Sequence, residues 1–235
     1  MSGHSKWHSI QKKKGVADTK RGQIFTKLAK AIAIAAKAGG GGDPNFNFQL
    51  RVAIDSAKAA NMPKDKIDRA VSRGTGEGDD IGQIEEVIYE GFGPGGSAIL
   101  IQCLTDNRNR SVADVRTVMN KKGGNLGSQG TVMWMFNHKG QIVLSGELTD
   151  DLEMRLIEAG AEDIQSDNGL IQVVTTVPDL KNVLDGVNEK VEHAGLAYFA
   201  KDPVKIEGAD SESLDRLVDA LDELDDVDTV FTNVI

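Results

Sequence analysis

The apolar pattern of this chain changes period once, across Thr75–Gly82 (TGEGDDIG), and that change bounds what the chain can fold into. Before it, apolar residues recur every three or four positions, as on one face of a helix. After it, short apolar runs alternate with turn residues, as in strands. A helical segment must therefore be joined to an α+β segment, and Thr75–Gly82, rich in glycine and acid, reads as the linker.

In Gly22–Gly39 the residues Ile24, Phe25, Leu28, Ile32 and Ala35 form one apolar face. Lys27, Lys30 and Lys37 fall opposite, where Ile34 intrudes. Gly39–Gly42 breaks the helix. Asp43 and Pro44 then predict the N-cap and first position of a second helix, with Leu50, Ala53, Ile54 and Ala57 inward and Arg51, Asp55 and Lys58 outward. Pro63 opens a third, with Ile67, Ala70 and Val71 inward and Gly74 as its stop.

Beyond the linker, EVIYEGFGPGGSAILIQCLTD reads as two strands joined by a glycine turn. Ser111–Gly123 is a predicted helix opened by a variant capping box of Ser111 and Asp114, with Val112, Val115 and Met119 inward. Thr131–Phe136 (TVMWMF) is a predicted strand. Gln141–Ser145, Leu152–Ala159, Asp163–Ser166, Leu170–Val177, Asp179–Gly195 and Tyr198–Ala200 read β-α-β-β-α-β, the ferredoxin-like order, with SDNG (Ser166–Gly169) as its hairpin turn. Ser211–Leu224 is a predicted acidic amphipathic helix and Thr229–Val234 a last strand.

Counting elements sets the expected organisation. Residues 83–136 supply β-β-α-β, one helix and one strand short of a two-layer sandwich, and the terminal helix and strand supply the missing pair. The expected fold class is α+β with three domains: a basic helical domain (1–76) followed by two ferredoxin-like α+β domains, one of residues 77–136 plus 206–235 and an acidic one (137–205) inserted in it. Three domains in succession is the other arrangement the count allows.

Charge is divided along the same lines. The chain carries a formal net charge of -9. Residues 1–74 hold 15 Lys+Arg against 5 Asp+Glu, whereas residues 141–235 hold 6 against 23. Such asymmetry points to a polyanionic partner for the basic end, with the acidic end turned away from it. No apolar run is long enough to span a bilayer. The basic start lacks the apolar core of a signal peptide, and the single cysteine, Cys103, excludes an internal disulfide. Both fit a cytoplasmic protein.

The chemistry-bearing motifs are few. GFGPGG (Gly91–Gly96) matches a dinucleotide fingerprint, but a strand follows it where a helix N-terminus is needed, so it reads as a hairpin turn and no cofactor is expected. His4 and His8 stand four apart without a third ligand nearby, so no metal is expected. Cys103 lies in an apolar strand and reads as core. Nothing asks for catalysis.

Two stretches suit a phosphate backbone. In the arm GHSKWHSIQKKKGVADTKRG, Lys6, Lys12, Lys13, Lys14, Lys20 and Arg21 can neutralise phosphates, with His8 among them and Lys27 following. Trp7 either stacks on an unpaired base or anchors the arm to the helical domain. In LTDNRNRS, Arg108, Asn109 and Arg110 stand at a predicted helix start, where guanidinium forks and free backbone N–H groups favour anions. The same loop reads equally well as an internal clamp, with Asp106 and Asn107 holding the turn and the arginines bridging domains. GGNLGSQG (Gly123–Gly130), after Lys121 and Lys122, is either a close-approach loop or a bare connection.

These stretches, with AGGGGDP, NMPKDKIDRAV, YEGFGPGG and GGNLG…GTVMWMF, resemble the YebC/PmpR family over essentially the whole chain. That family includes the mitochondrial translational activator of cytochrome oxidase subunit I. The resemblance implies a three-domain, cytoplasmic, non-enzymatic protein, commonly described as a DNA-binding transcriptional regulator. It also implies an alternative, a ribosome-associated translation factor relieving stalling at proline-rich stretches. The residues themselves suit duplex DNA or ribosomal RNA alike, and the ribosome is a further expected partner. A protein-interaction adaptor, docking through the acidic distal domain, is a second alternative. Oligomeric state is not legible.

Overall fold

The computed structural model describes residues 21–39, 41–77 and 84–235. The chain divides into two compact units, one running up to Asn137 and resuming at Phe199–Ile235, the other His138–Tyr198.

The first unit opens with three helices, α1 (Arg21–Ala38), α2 (Phe48–Ala59) and α3 (Lys64–Thr75). Ile32, Ala35 and Ala36 of α1 meet Leu50, Ile54 and Ala57 of α2 and Ile67 and Ala70 of α3 in one buried cluster. Two helix ends differ from expectation. Asn47, not Asp43, caps α2: its side chain accepts the Leu50 N–H at 3.0 Å and donates to the Ala35 carbonyl at 2.8 Å, locking the end of α1 to the start of α2. Asp43 instead closes the preceding turn, accepting the Asn45 N–H at 2.9 Å. Gly74 does not stop α3. It lies inside the helix, where an added Cβ would sit 2.3 Å from the Ala33 carbonyl oxygen, and left-handed Gly76 (φ 78°) ends the helix.

A four-stranded sheet follows, made of β1 (Glu85–Phe92), β2 (Ala98–Thr105), β3 (Asn125–Leu126) and β8 (Val227–Thr232) in the order β3-β1-β2-β8. All its pairings are antiparallel, and GFGPGG ends β1 with Gly91 and Phe92 and forms the β1–β2 connection, which carries a single 3₁₀ turn. Helices α4 (Arg108–Lys121) and α7 (Ala209–Asp222) cover one face, where Ile99, Ile101 and Cys103 meet Val115, Met119, Leu214, Leu217 and Leu221. Burial pushes the Cys103 thiol up to about 12, as suits a core position. On the other face Leu104 packs with Ile84 and with Ala33 of α1, joined by Ala31 and Ile34. The apparent flaw in the polar side of α1 is thus its contact with the sheet. The terminal strand β8 lies beside β2, so the chain's end completes the sheet its middle began. The chain order here is β-β-α-β-α-β. Its spatial order is that of a ferredoxin-like sheet whose third strand has moved to the front.

The second unit is built from α5 (Asp150–Glu158), β5 (Ala161–Asp167), β6 (Leu170–Thr175), α6 (Leu180–Asp185) and all but the outermost two residues of β4 (Phe136–Ser145) and β7 (Lys190–Ala200), with sheet order β5-β6-β4-β7. This is the ferredoxin-like arrangement, the first strand lying between the third and the fourth. Asn168 (φ 50°) and Gly169 (φ 75°) form the predicted β5–β6 turn. Ile142, Leu144, Leu152, Leu156, Ile171, Val173 and Val183 are buried. The expected helix Asp179–Gly195 is much shorter. Gly186 ends it at Asp185, and Lys190 onward is recruited as the strand beside β4.

Candidate nucleic-acid interface

Lys6, Trp7, His8, Lys12, Lys13, Lys14 and Lys20 lie outside the described residues, as do His4 and most of the expected linker. Arg21 is exposed in the first turn of α1. From there the cations of the helical segment divide into two sets.

One set faces the α+β part of its own unit and is engaged there. Lys27 Nζ donates to the Asp222 carbonyl at 2.5 Å. Lys30 is buried, with its ammonium on the Asp226 carboxylate and on the Asp225 carbonyl at 2.9 Å. Arg73 Nη2 reaches Asp106 Oδ2 at 3.2 Å. The other set, Lys37, Arg51, Lys58, Lys64, Lys66 and Arg69, is exposed. Lys58 pairs with its helix neighbour Asp55 at 3.2 Å, a solvent-screened pair of small energetic weight.

The arginine loop is built around the first set. Helix α4 starts at Arg108, not Ser111: Asn107 is its N-cap and accepts the Arg110 N–H at 3.1 Å. Ser111 is buried within the helix, so the expected capping box is absent. Arg110 Nη2 binds both Asp226 oxygens, at 3.0 and 2.9 Å, and Asp106 Oδ1 at 2.9 Å. Thr105 Oγ1 donates to Asp226 at 3.0 Å. Asp226 is thus the hub at which Lys30 of α1, Arg110 of α4 and Thr105 of β2 converge. Burial alone would raise its carboxyl, but Lys30, Arg110 and Thr105 outweigh that and hold it below the ordinary value of 3.8. Asp106 follows the same balance, with Arg110 and Arg73 prevailing over burial. Arg108 forks onto Glu85, with Nη2 to Oε2 at 2.8 Å, and this hydrogen bond lowers the Glu85 carboxyl. Asn109 is exposed. The clamp geometry between helices and sheet is therefore present at Arg110 and Asp106, while about half of the Arg110 side chain stays open to solvent.

The glycine-rich loop is fastened by a residue that sequence reasoning missed. Buried Glu90 of β1 accepts the N–H groups of Gly130 at 2.6 Å and of Val132 and Met133 at 2.8 Å each. Its own carbonyl takes the Gly127 N–H at 2.7 Å. Three amides converging on one carboxylate curl the chain, so Met133–Met135 is a 3₁₀ turn and not part of the expected strand Thr131–Phe136, which begins only at Phe136. A carboxylate at an inward strand position between Tyr89 and Gly91 was the available signal. Lys30 and Asp226 gave none, since Asp226 is one acid in the run DELDDVD.

Among the described residues no cluster of three His, Cys, Asp or Glu side chains is placed to hold a metal, and no helix is long and apolar enough to cross a membrane.

Comparison with known proteins decides the kinship. Residues 5–77 match the TACO1/YebC protein N-terminal domain and residues 84–234 the TACO1/YebC second and third domain. The chain belongs to the TACO1/YebC family. Its curated relatives include a "Probable transcriptional regulatory protein" of Polynucleobacter asymbioticus, 48% identical over 99% of both chains. One of the same description from Geobacter sulfurreducens is 47% identical over 99% of this chain and 95% of its own. A crystal structure of a conserved hypothetical protein from Aquifex aeolicus superposes with a TM-score of 0.88 at 39% identity, covering 98% of this chain and 97% of that one.

Proposed function

We propose that this TACO1/YebC protein is a nucleic-acid-binding regulator of gene expression, without catalysis of its own, acting in the cytoplasm. The observation that carries the reading is the division of cations in the helical segment. Those facing the sheet are engaged by the Asp226 and Asp106 carboxylates and the Asp222 carbonyl, whereas Lys37, Arg51, Lys58, Lys64, Lys66 and Arg69 are exposed. They adjoin a leading arm with five further lysines. A surface of this kind binds phosphates and releases counterions. The relatives are described as probable transcriptional regulatory proteins, which favours a role in transcription, and duplex DNA is the target such a role calls for.

One observation favours a second target, ribosomal RNA, and with it a translation role. The exposed side of α3 mixes Lys64, Asp65, Lys66, Asp68 and Arg69. A helix seated in a DNA major groove would bring those carboxylates against the flanking phosphates, whereas the wide minor groove of RNA offers 2′-hydroxyl and base-edge donors from which carboxylates can accept. The test is ribosome pelleting at near-physiological salt with excess duplex DNA as competitor. Co-sedimentation that survives the DNA supports the ribosome as target. Loss to the DNA supports the transcriptional role.

A further inference from the structure

Phe46 is the most exposed large apolar side chain among the described residues, with 90% of its surface open. It stands on a braced turn. Its N–H donates to the Asp43 carbonyl at 3.1 Å, and the Asn47 N–H donates to the same oxygen at 3.0 Å. Asp43 Oδ1 accepts both the backbone and side-chain N–H groups of Asn45, each at 2.9 Å. Buried Asn47 then fixes the turn to Ala35, Gly41 and Leu50.

The ring also lacks its usual local partner. Phe46 precedes the N-cap Asn47, and an apolar residue there ordinarily folds back on the fourth helical residue. That residue is Arg51, whose guanidinium lies over the Phe48 ring, 5.0 Å from its centroid. The turn therefore displays one free aromatic plane beside a guanidinium already stacked on another. Its chain neighbours Asp43, Asn45 and Gln49 are polar and exposed, and Pro44 and Phe48 are partly exposed. With Lys27, Lys30 and Arg73 engaged within the unit, Lys37, Arg51, Lys58, Lys64, Lys66 and Arg69 are exposed cations of these helices, which favours an anionic partner.

We propose that Phe46 is a stacking platform for an unpaired base of a single-stranded nucleic acid, with the Arg51–Phe48 pair meeting the adjoining nucleotide. The proposal rests on the nucleic-acid reading above and assigns it a subsite for single strands.

The test measures anisotropy of a labelled oligo-uridine and of a duplex of equal length, with full-length protein at near-physiological salt. Phe46→Ala weakens single-strand binding by about tenfold and duplex binding by less than twofold, and Phe46→Trp restores the single-strand affinity. The thermal melt stays unchanged, because the ring is already almost fully exposed. Equal losses on both ligands, or no loss on either, overturn the proposal. Wild-type protein that binds neither ligand overturns the nucleic-acid reading itself, and this proposal with it.

Discussion

The Lys30 ammonium and the Asp226 carboxylate form a buried ion pair that fastens the first helix to the edge of the β8 strand, with side-chain exposures of only 10% and 8%. Arg110 shares the carboxylate, so one acid from the chain's end anchors cations from its beginning and middle. Removing one partner of a buried pair leaves the other charge desolvated, which costs more than the pair contributes when intact. Asp226→Ala should therefore destabilise the protein by about 3–5 kcal/mol, read as a lower denaturant midpoint. Lys30→Met should cost less, because Arg110 still satisfies Asp226. Equal costs would contradict the hub.

The same group predicts an acid dependence. Asp226 and Asp106 titrate below their ordinary value of 3.8 in the folded protein, so their contribution is complete above that value. It is lost as pH falls through the lower, folded values. The stability deficit of Asp226→Asn relative to wild type should be constant at neutral pH and shrink below about pH 4. Denaturant midpoints taken from pH 7 to pH 3 check this, and a deficit that grows with acid would contradict it.

Gly74 and Gly22 should respond oppositely to alanine. Alanine gains about 1 kcal/mol of helix propensity over glycine. At Gly74 the new Cβ meets the Ala33 carbonyl oxygen at 2.3 Å and Ala36 Cβ at 2.7 Å, backbone and core atoms that cannot swing aside. Overpacking of this kind costs about 1–3 kcal/mol or more, so Gly74→Ala should lower the melting temperature. Gly22 has nothing within 4 Å, so Gly22→Ala should raise it slightly.

Glu90 should hold its loop selectively. Glu90→Ala strands three amides, two of them partly buried and one fully, at roughly 1–3 kcal/mol for a buried donor. Amide exchange at Gly130, Val132 and Met133 should accelerate together in Glu90→Ala, while the β1–β2 ladder keeps its protection. Uniform acceleration across the sheet would show that Glu90 serves the whole fold and not the loop.

Much of the architecture was legible because its signals are local. The period change at Thr75–Gly82, the inward stripe of Leu214, Leu217, Val218 and Leu221, and the SDNG turn each follow from spacing or from a backbone preference. The failures share one cause, a contact from far along the chain. Asp43 and Asn47 are both good caps, and only the Ala35 carbonyl decides between them. TVMWMF alternates like a strand until Glu90 gathers its amides. Lys30 occupies what looks like a polar helix face, and its burial depends on Asp226, 196 residues away. Arg110 shows the same limit within the candidate site. Its residue type and position suit phosphate and carboxylate equally, and the carboxylates it holds come from Asp106 beside it and Asp226 at the far end of the chain.

The central claim is that the basic helical segment and its leading arm bind nucleic acid through phosphates. The most direct test is the salt dependence of binding for wild type and for the triple change Lys12→Glu, Lys13→Glu and Lys14→Glu, on RNA and on duplex DNA. Each lysine that meets a phosphate should contribute about 0.9 to the slope of log K against log salt on duplex, and about 0.7 on a single strand. The account predicts weaker binding and a shallower slope for the triple variant. Unchanged affinity and slope on both ligands would contradict it.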